Sequence, residues 1–130
     1  MIRDAGAADC GRLTEIAFAA KRHWGYPEEY IERWSGELTI AAAYVHRHRV
    51  RVFEQAGSVV GFYSLVENDA DRHFGPVLME KGLWLDHMFI DPSWHRQGIG
   101  SGFFRDIDAY LAASGRESLF IFVEPNAAGF

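Results

Sequence analysis

The sequence predicts a mixed α/β (α+β) layer fold. Three observations carry the prediction: a change of hydrophobic period from helical to alternating near Val50, a hairpin signal at Ala56 and Gly57, and a strand, helix, strand succession after Leu83. The hairpin demands antiparallel pairing, while two strands joined through a helix demand a parallel crossover, so one sheet must hold both. The chain has 130 residues, 48% of them apolar and 24% charged, which is enough to bury one core without a metal or disulfide staple. No repeat or Pro/Ser-rich linker interrupts it, so residues 1–130 are expected to form one domain.

Residues 1–3 read as a short strand. Asp9 is a candidate N-cap for a helix whose Leu13, Ile16, Ala17 and Ala20 fall at helical spacing, with Lys21, Arg22 and His23 in the last turn, where the dipole favours cations. Gly25 stops it. Pro27, Glu28 and Glu29 open a second short helix, with Ile31, Trp34 and Leu38 along one face. Residues 39–48 fit a helix or a strand equally. Val50 and Val52 then alternate with Arg49 and Arg51, and residues 58–67 are nearly apolar on both faces. Residues 68–75 form a polar loop, and the strand at 83–90 ends at Asp91 and Pro92. The strongest helix is 98–114, with Ile99, Phe103, Ile107, Tyr110 and Leu111 on one stripe and Gly115 as its stop; residues 119–123 follow as a short apolar strand.

The net charge of −5 and the absence of a basic block argue against a nucleic-acid partner, which needs Lys and Arg to neutralise phosphates. Cys10 is the single cysteine, so no intramolecular disulfide forms and a reducing compartment is the natural setting. Asp4, Asp9 and Glu15 fall where a signal peptide needs apolar residues, and no apolar run reaches membrane-spanning length. A cytoplasmic protein with no membrane partner is expected. His46 and His48 form an H-x-H pair, but no third ligand has suitable spacing, so no metal is expected.

Gly98, Gly100 and Gly102 open the 98–114 helix, where each costs about 1 kcal/mol relative to Ala unless it serves a purpose. A helix N-terminus carries unpaired N–H groups and the positive end of the dipole. A glycine-rich entry therefore lets an anion, above all a diphosphate, approach the backbone. A Walker A loop is excluded because no Gly-Lys-Ser/Thr follows, and a Rossmann fingerprint because its third glycine would fall at Phe103.

The segment MFIDPSWHRQGIGSGFF resembles motif A of the GNAT N-acetyltransferases, in which a strand ending in Val or Ile, then a Pro, precedes Arg/Gln-x-x-Gly-x-Gly/Ala. His95 stands where the family has Arg or Gln. The IRDA opening, the VVGFYSL strand and the VEPNAAGF stretch extend the resemblance over nearly the whole chain. It implies a central, mixed, mostly antiparallel sheet flanked by helices. It also implies transfer of an acetyl group from acetyl-CoA to a primary amine of a small molecule or peptide, by direct attack; the alternative is a non-catalytic acyl-CoA sensor or docking module of the same fold. On this resemblance the backbone of Met88, Phe89 and Ile90 bonds the pantetheine arm and the acetyl carbonyl, with the Met88 N–H or its neighbour as oxyanion donor. His95, Arg96, Gln97, Gly98, Ile99, Gly100 and Ser101 hold the diphosphate. Asn126 contacts the pantetheine or, equally well, caps a final helix.

Asp86 and His87 are the candidates for the general base. Strict alternation sets them on opposite faces, so that one alone meets the acceptor, unless a bulge intervenes; a purely structural hydrogen-bonded role has equal weight. Trp24, Tyr26 and Glu29 are expected in the acceptor wall and Trp34 in the core. The family's general-acid Tyr, terminal helix and hairpin would follow Phe130, so a C-terminally truncated domain is expected, with an open strand edge that a partner could cover. A homodimer is one option for the assembly.

Overall fold

In the computed structural model, which describes residues 1–121, sheet pairing is organised around the turn at Ala56 and Gly57. Both residues have positive φ, 53° and 78°, the two-residue turn whose twist matches an antiparallel pair. It joins β2 (Arg49–Gln55) to β3 (Ser58–Asn68). β1 (Ile2–Asp4) pairs antiparallel with β2, and β6 (Gly82–Ile90) antiparallel with β3. After helix α5 (Ile99–Ser114), β7 (Phe120–Ile121) pairs parallel with Trp84 and Leu85 of β6. The sheet order is β1-β2-β3-β6-β7, the mixed and mainly antiparallel sheet expected from the sequence.

Helices cover both faces. On one face, α1 (Cys10–His23), α2 (Glu28–Arg33), α3 (Ser35–Leu38) and α4 (Ala42–Arg47) bury Leu13, Ile16, Ala17, Ile31, Leu38 and Val45 against Val50, Val52, Val59 and Phe62. On the other, Ile99, Phe103 and Ile107 of α5 pack on Val60, Tyr63, Leu65, Leu83 and Leu85. Residues buried on both faces of β3 explain its nearly continuous apolar run. Each fully buried large apolar side chain, Phe62 and Phe103 among them, contributes about 1.5–3 kcal/mol. α5 ends where expected, at left-handed Gly115.

Four local readings change. Asp9 occupies the position before α1, but its carboxylate turns back to accept from the Gly6 N–H at 2.8 Å and to hold Arg3, so it braces the preceding 3-10 turn Ala7–Asp9. The single helix expected through Leu38 breaks at Trp34 into α2 and α3, just before the weak helix formers Ser35 and Gly36. Residues 39–48 resolve as α4. The 68–75 loop contains half of a small hairpin, β4 (Arg72–Phe74) with β5 (Val77–Met79), whose strands are too short to leave a period. Buried Asn68 donates to the Met79 and Glu80 carbonyls at 3.0 and 2.8 Å and fixes the base of that hairpin. Among the described residues, no helix is long and apolar enough to cross a membrane.

Candidate functional site

The β3–β6 ladder steps from Leu65 opposite Leu85 to Ser64 opposite His87, leaving Asp86 as the extra residue of a β-bulge. The bulge overturns the opposite-face expectation. Leu83 and Leu85 face α5, and beyond the bulge Met88 and Ile90 do so again, while Phe89 packs against the α1–α4 core. His87 lies on that same α1–α4 side, its ring stacked on Phe89 at 5.3 Å and 6.0 Å from Tyr44. Asp86 is there too, bound by the Tyr44 hydroxyl. Both candidates for the base therefore share one face.

A polar cluster surrounds the bulge. Tyr44 Oη lies 2.9 Å from Ser64 Oγ, and the His87 backbone N–H donates to that same Oγ at 3.1 Å. His87 Nε2 is 3.5 Å from Asp86 Oδ2. Ser64 is fully buried, whereas the side chain of Asp86 is 42% exposed and that of His87 14%. Burial pushes the His87 pKa below 6.5 and Lys21 adds to this, while Asp86 and Glu37 oppose it, so its imidazole is neutral at neutral pH. Burial, then the charge and hydrogen bond of Asp86, push the Tyr44 phenol well above its ordinary range, so it stays protonated.

The expected acceptor wall reaches this face through Tyr26. Its ring meets Trp34 edge-on at 4.9 Å, and the Lys21 ammonium lies 5.2 Å from Tyr26, 5.0 Å from Trp34 and 5.9 Å from Phe89. Trp24 is half-buried just past α1, Glu29 is exposed on the first turn of α2, and Trp34 packs against the core as expected.

Beyond β6 the chain is anchored before it enters α5. Asp91 accepts from the Ser93 N–H at 3.0 Å and from Arg12 at 2.7 Å, and Arg12 Nε donates to the Val59 carbonyl at 2.9 Å. The Trp94 amide is used by Asp91 and the His95 amide by Pro92, at 2.8 and 3.4 Å. The left-handed residues Arg96 (φ 65°) and Gly98 (φ 77°) then turn the backbone, and the next amide to bond is Gly102 to Gly98 at 3.0 Å. Among the described residues, the amides of Arg96, Gln97, Gly98, Ile99, Gly100 and Ser101 have no protein acceptor. His95 departs from the expected cradle: its amide is occupied and its ring meets His23 edge-on at 5.0 Å. Ile99 is buried, so its main chain alone faces the turn. A Cβ on Gly98 would meet nothing within 4 Å, and one on Gly100 would make only ordinary contact with Ile90 at 3.7 Å.

Along the far edge of β6, the described residues pair only Trp84 and Leu85 with β7, leaving the edge at Met88, Phe89 and Ile90 without a strand partner among them. Asn126 lies outside the described residues. Among the described residues, no cluster of three or more His, Cys, Asp or Glu is arranged to hold a metal ion. Sequence reasoning missed Tyr44, Ser64 and Arg12. A small polar residue between Tyr63 and Leu65 inside the apolar run of β3 was the signal for Ser64; Tyr44 and Arg12 left none.

The family model "Acetyltransferase (GNAT) domain" matches residues 46–130. No curated protein matches the chain in sequence. Among solved structures, a PaiA N-acetyltransferase from Thermoplasma acidophilum in complex with coenzyme A superposes with a TM-score of 0.80 at 17% identity, covering 99% of this chain and 82% of that one. A GCN5-related N-acetyltransferase from Ralstonia eutropha gives 0.70 at 17% identity, covering 96% and 84%. A GCN5-related N-acetyltransferase from Rhodopseudomonas palustris gives 0.77 at 19% identity, covering 100% and 76%. At such identities the likeness establishes the fold.

Proposed function

Because this chain belongs to the GNAT acetyltransferase domain family, we propose that it is an acetyl-CoA-dependent N-acetyltransferase acting on a primary amine of a small molecule or peptide. The observation that carries the proposal is the run of six amides, residues 96–101, that have no acceptor among the described residues at the mouth of α5. Backbone donors need no particular side chain, so His95 in place of Arg or Gln does not remove the grip. Gly98 leaves open space beside those amides, and the β6 edge at Met88, Phe89 and Ile90, without a strand partner among the described residues, suits an extended arm that bonds as an added strand. Asn126 is proposed to contact the same arm.

Acetyl-CoA supplies a thioester, and the balanced reaction is R–NH3+ plus acetyl-S-CoA giving R–NH–acetyl, HS-CoA and one proton. An ammonium of pKa ~10 must lose that proton before its lone pair can attack. The partly exposed Asp86 carboxylate draws the ammonium; the neutral imidazole of His87 takes the proton, directly or through water. Tyr26, with Trp24 and Glu29, lines the acceptor side. A cytoplasmic setting and the absence of a metal requirement belong to the same proposal.

The test follows CoA release with a pooled set of primary amines, beside melting shifts with acetyl-CoA and with ADP. Turnover, with about 2.7 kcal/mol of stabilisation by acetyl-CoA at a hundredfold excess over Kd, is the expected result. Saturable acetyl-CoA binding without CoA release favours the sensor. Equal stabilisation by ADP and acetyl-CoA overturns the CoA site.

A further inference from the structure

The chain of polar groups across the β6 bulge has a direction fixed by proton counting. An ionised carboxylate has no proton and a phenol has one. Protonated Tyr44 therefore donates to Asp86 Oδ2, and Ser64 must donate to Tyr44 Oη across their 2.9 Å separation. Ser64 Oγ in turn accepts the His87 backbone N–H at 3.1 Å. The chain starts on one bulge residue and ends on its neighbour, closing a loop across the irregularity. Asp86 Oδ2 is thereby tied down, while Oδ1 has no hydrogen bond among the described residues, on a side chain 42% exposed. Two features make the restraint firm: Ser64 is fully buried, and Tyr44 is held by α4 with its ring 4.7 Å from His48.

We propose that Tyr44 is a positioning residue: with Ser64 it closes a hydrogen-bonded loop over the β6 bulge that fixes the Asp86 carboxylate and turns its free oxygen toward the acceptor ammonium. The inference deepens the transferase reading and rests on it. The positively charged end of the acceptor is then recognised by one oriented carboxylate, so amines are preferred over neutral nucleophiles such as alcohols.

The experiment compares the full chain with Tyr44→Phe, Ser64→Ala, Asp86→Asn and the Tyr44→Phe/Asp86→Asn double variant. It measures kcat and KM for the best amine in the pool and Kd for acetyl-CoA. Tyr44→Phe keeps the ring and is expected to raise the amine KM roughly 10-fold, with kcat and acetyl-CoA affinity held within about 3-fold, the size of one lost charge-assisted hydrogen bond. Ser64→Ala moves KM in the same direction, and the double variant is no worse than Asp86→Asn alone. Independently of turnover, the Tyr44 13Cζ resonance, assigned by its loss in Tyr44→Phe, shifts in Asp86→Asn. Losses that multiply in the double variant, a fall in kcat and acetyl-CoA affinity instead of a rise in KM, or an unmoved resonance overturn the role of Tyr44. A wild-type chain that releases no CoA with any amine sinks the transferase reading itself, and this assignment with it, whatever the resonance does.

Discussion

Replacing Gly98 by Ala separates what the protein needs at this position from what a bound diphosphate needs. Gly98 sits at φ 77°, a conformation that costs an Ala about 1 kcal/mol, but its added methyl would meet nothing within 4 Å. The loss of stability is then backbone strain alone. Across 130 residues the unfolding entropy is about 0.27 kcal/mol/K, so the melting temperature should fall by about 4 °C. The methyl stands in the open space beside the six amides that have no acceptor among the described residues. If it costs the diphosphate one charge-assisted hydrogen bond, worth about 1.5–3 kcal/mol, acetyl-CoA binding weakens roughly 10- to 100-fold. Gly100→Ala is the control: its Cβ makes ordinary contact with Ile90 at 3.7 Å, helix propensity favours Ala by up to about 1 kcal/mol, and the family pattern admits Ala there. It should melt no lower than wild type and bind acetyl-CoA within about 3-fold. Differential scanning calorimetry and titration calorimetry read the two quantities separately. A Gly98→Ala protein that melts about 4 °C lower yet binds acetyl-CoA with unchanged Kd refutes the diphosphate cradle.

Three further outcomes follow from the packing. Burial holds the folded-state pKa of His87 below 6.5, so the unfolded chain takes up that proton first; stability from this group is present above 6.5 and is lost as pH falls through the folded value. Urea titrations should show that His87→Gln reduces the decline in unfolding free energy between pH 7 and 5, with the remaining slope shared by His48, also held low by burial; an unchanged slope contradicts the buried neutral imidazole. For Asp106, burial raises the pKa but hydrogen bonds from Arg51 and Tyr63 outweigh it and hold it below 3.8, so its contribution is present above 3.8 and lost as pH falls through the folded value. Asp106→Asn should cost about 1–3 kcal/mol at pH 7, with the gap to wild type closing as pH falls below 3.8 in acid-unfolding curves; a pH-independent gap argues against the ion pair. Gly82 has φ 142°, and a Cβ there would lie 2.7 Å from the Phe120 ring that stacks on Trp84, so Gly82→Ala should lose about 1–3 kcal/mol, part of it backbone strain, and change the Trp fluorescence; an unchanged fluorescence argues against β7 docking there.

Legibility in the sequence followed the range of the interaction. The α5 stripe, the two-faced β3 run and the Ala56-Gly57 turn are written in neighbouring residues, and the structure has all three. Gly98 was readable because a left-handed residue at a helix entry selects glycine locally. Asp9 has the right residue type for a cap, but Arg3 and the Gly6 amide compete for its carboxylate, and Arg3 is positioned by sheet pairing with β2 rather than by local sequence. Tyr44 and Asp86 are 42 residues apart and come together only because α4 leads into β2 while β6 pairs two strands away. No local period encodes that meeting, and none encodes a bulge, which shows in a strand only through its partner's register.

The bulge itself allows a sharper test than any substitution. Leu85 pairs with Leu65 and His87 with Ser64, so Leu65 and Ser64 are consecutive while one residue separates their partners. Deleting Asp86 makes those partners consecutive too, with Leu85 toward α5, His87 toward α1–α4 and Met88 toward α5, the alternation a regular strand requires. Both cores keep their register, and the β7 pairing at Trp84 and Leu85 lies before the deletion. A bulge serving stability alone should therefore be dispensable, or its removal stabilising, because a continuous ladder replaces a broken one. The shortened chain is expected to fold cooperatively, to bind acetyl-CoA within about 3-fold of wild type, and to lose amine acetylation at least as fully as Asp86→Asn, roughly 10- to 100-fold for one lost charge-assisted contact to the ammonium. If the deletion unfolds the protein while Asp86→Ala does not, the irregularity is a packing device. If it folds and still acetylates amines at the wild-type rate, the carboxylate at the bulge has no part in meeting the acceptor.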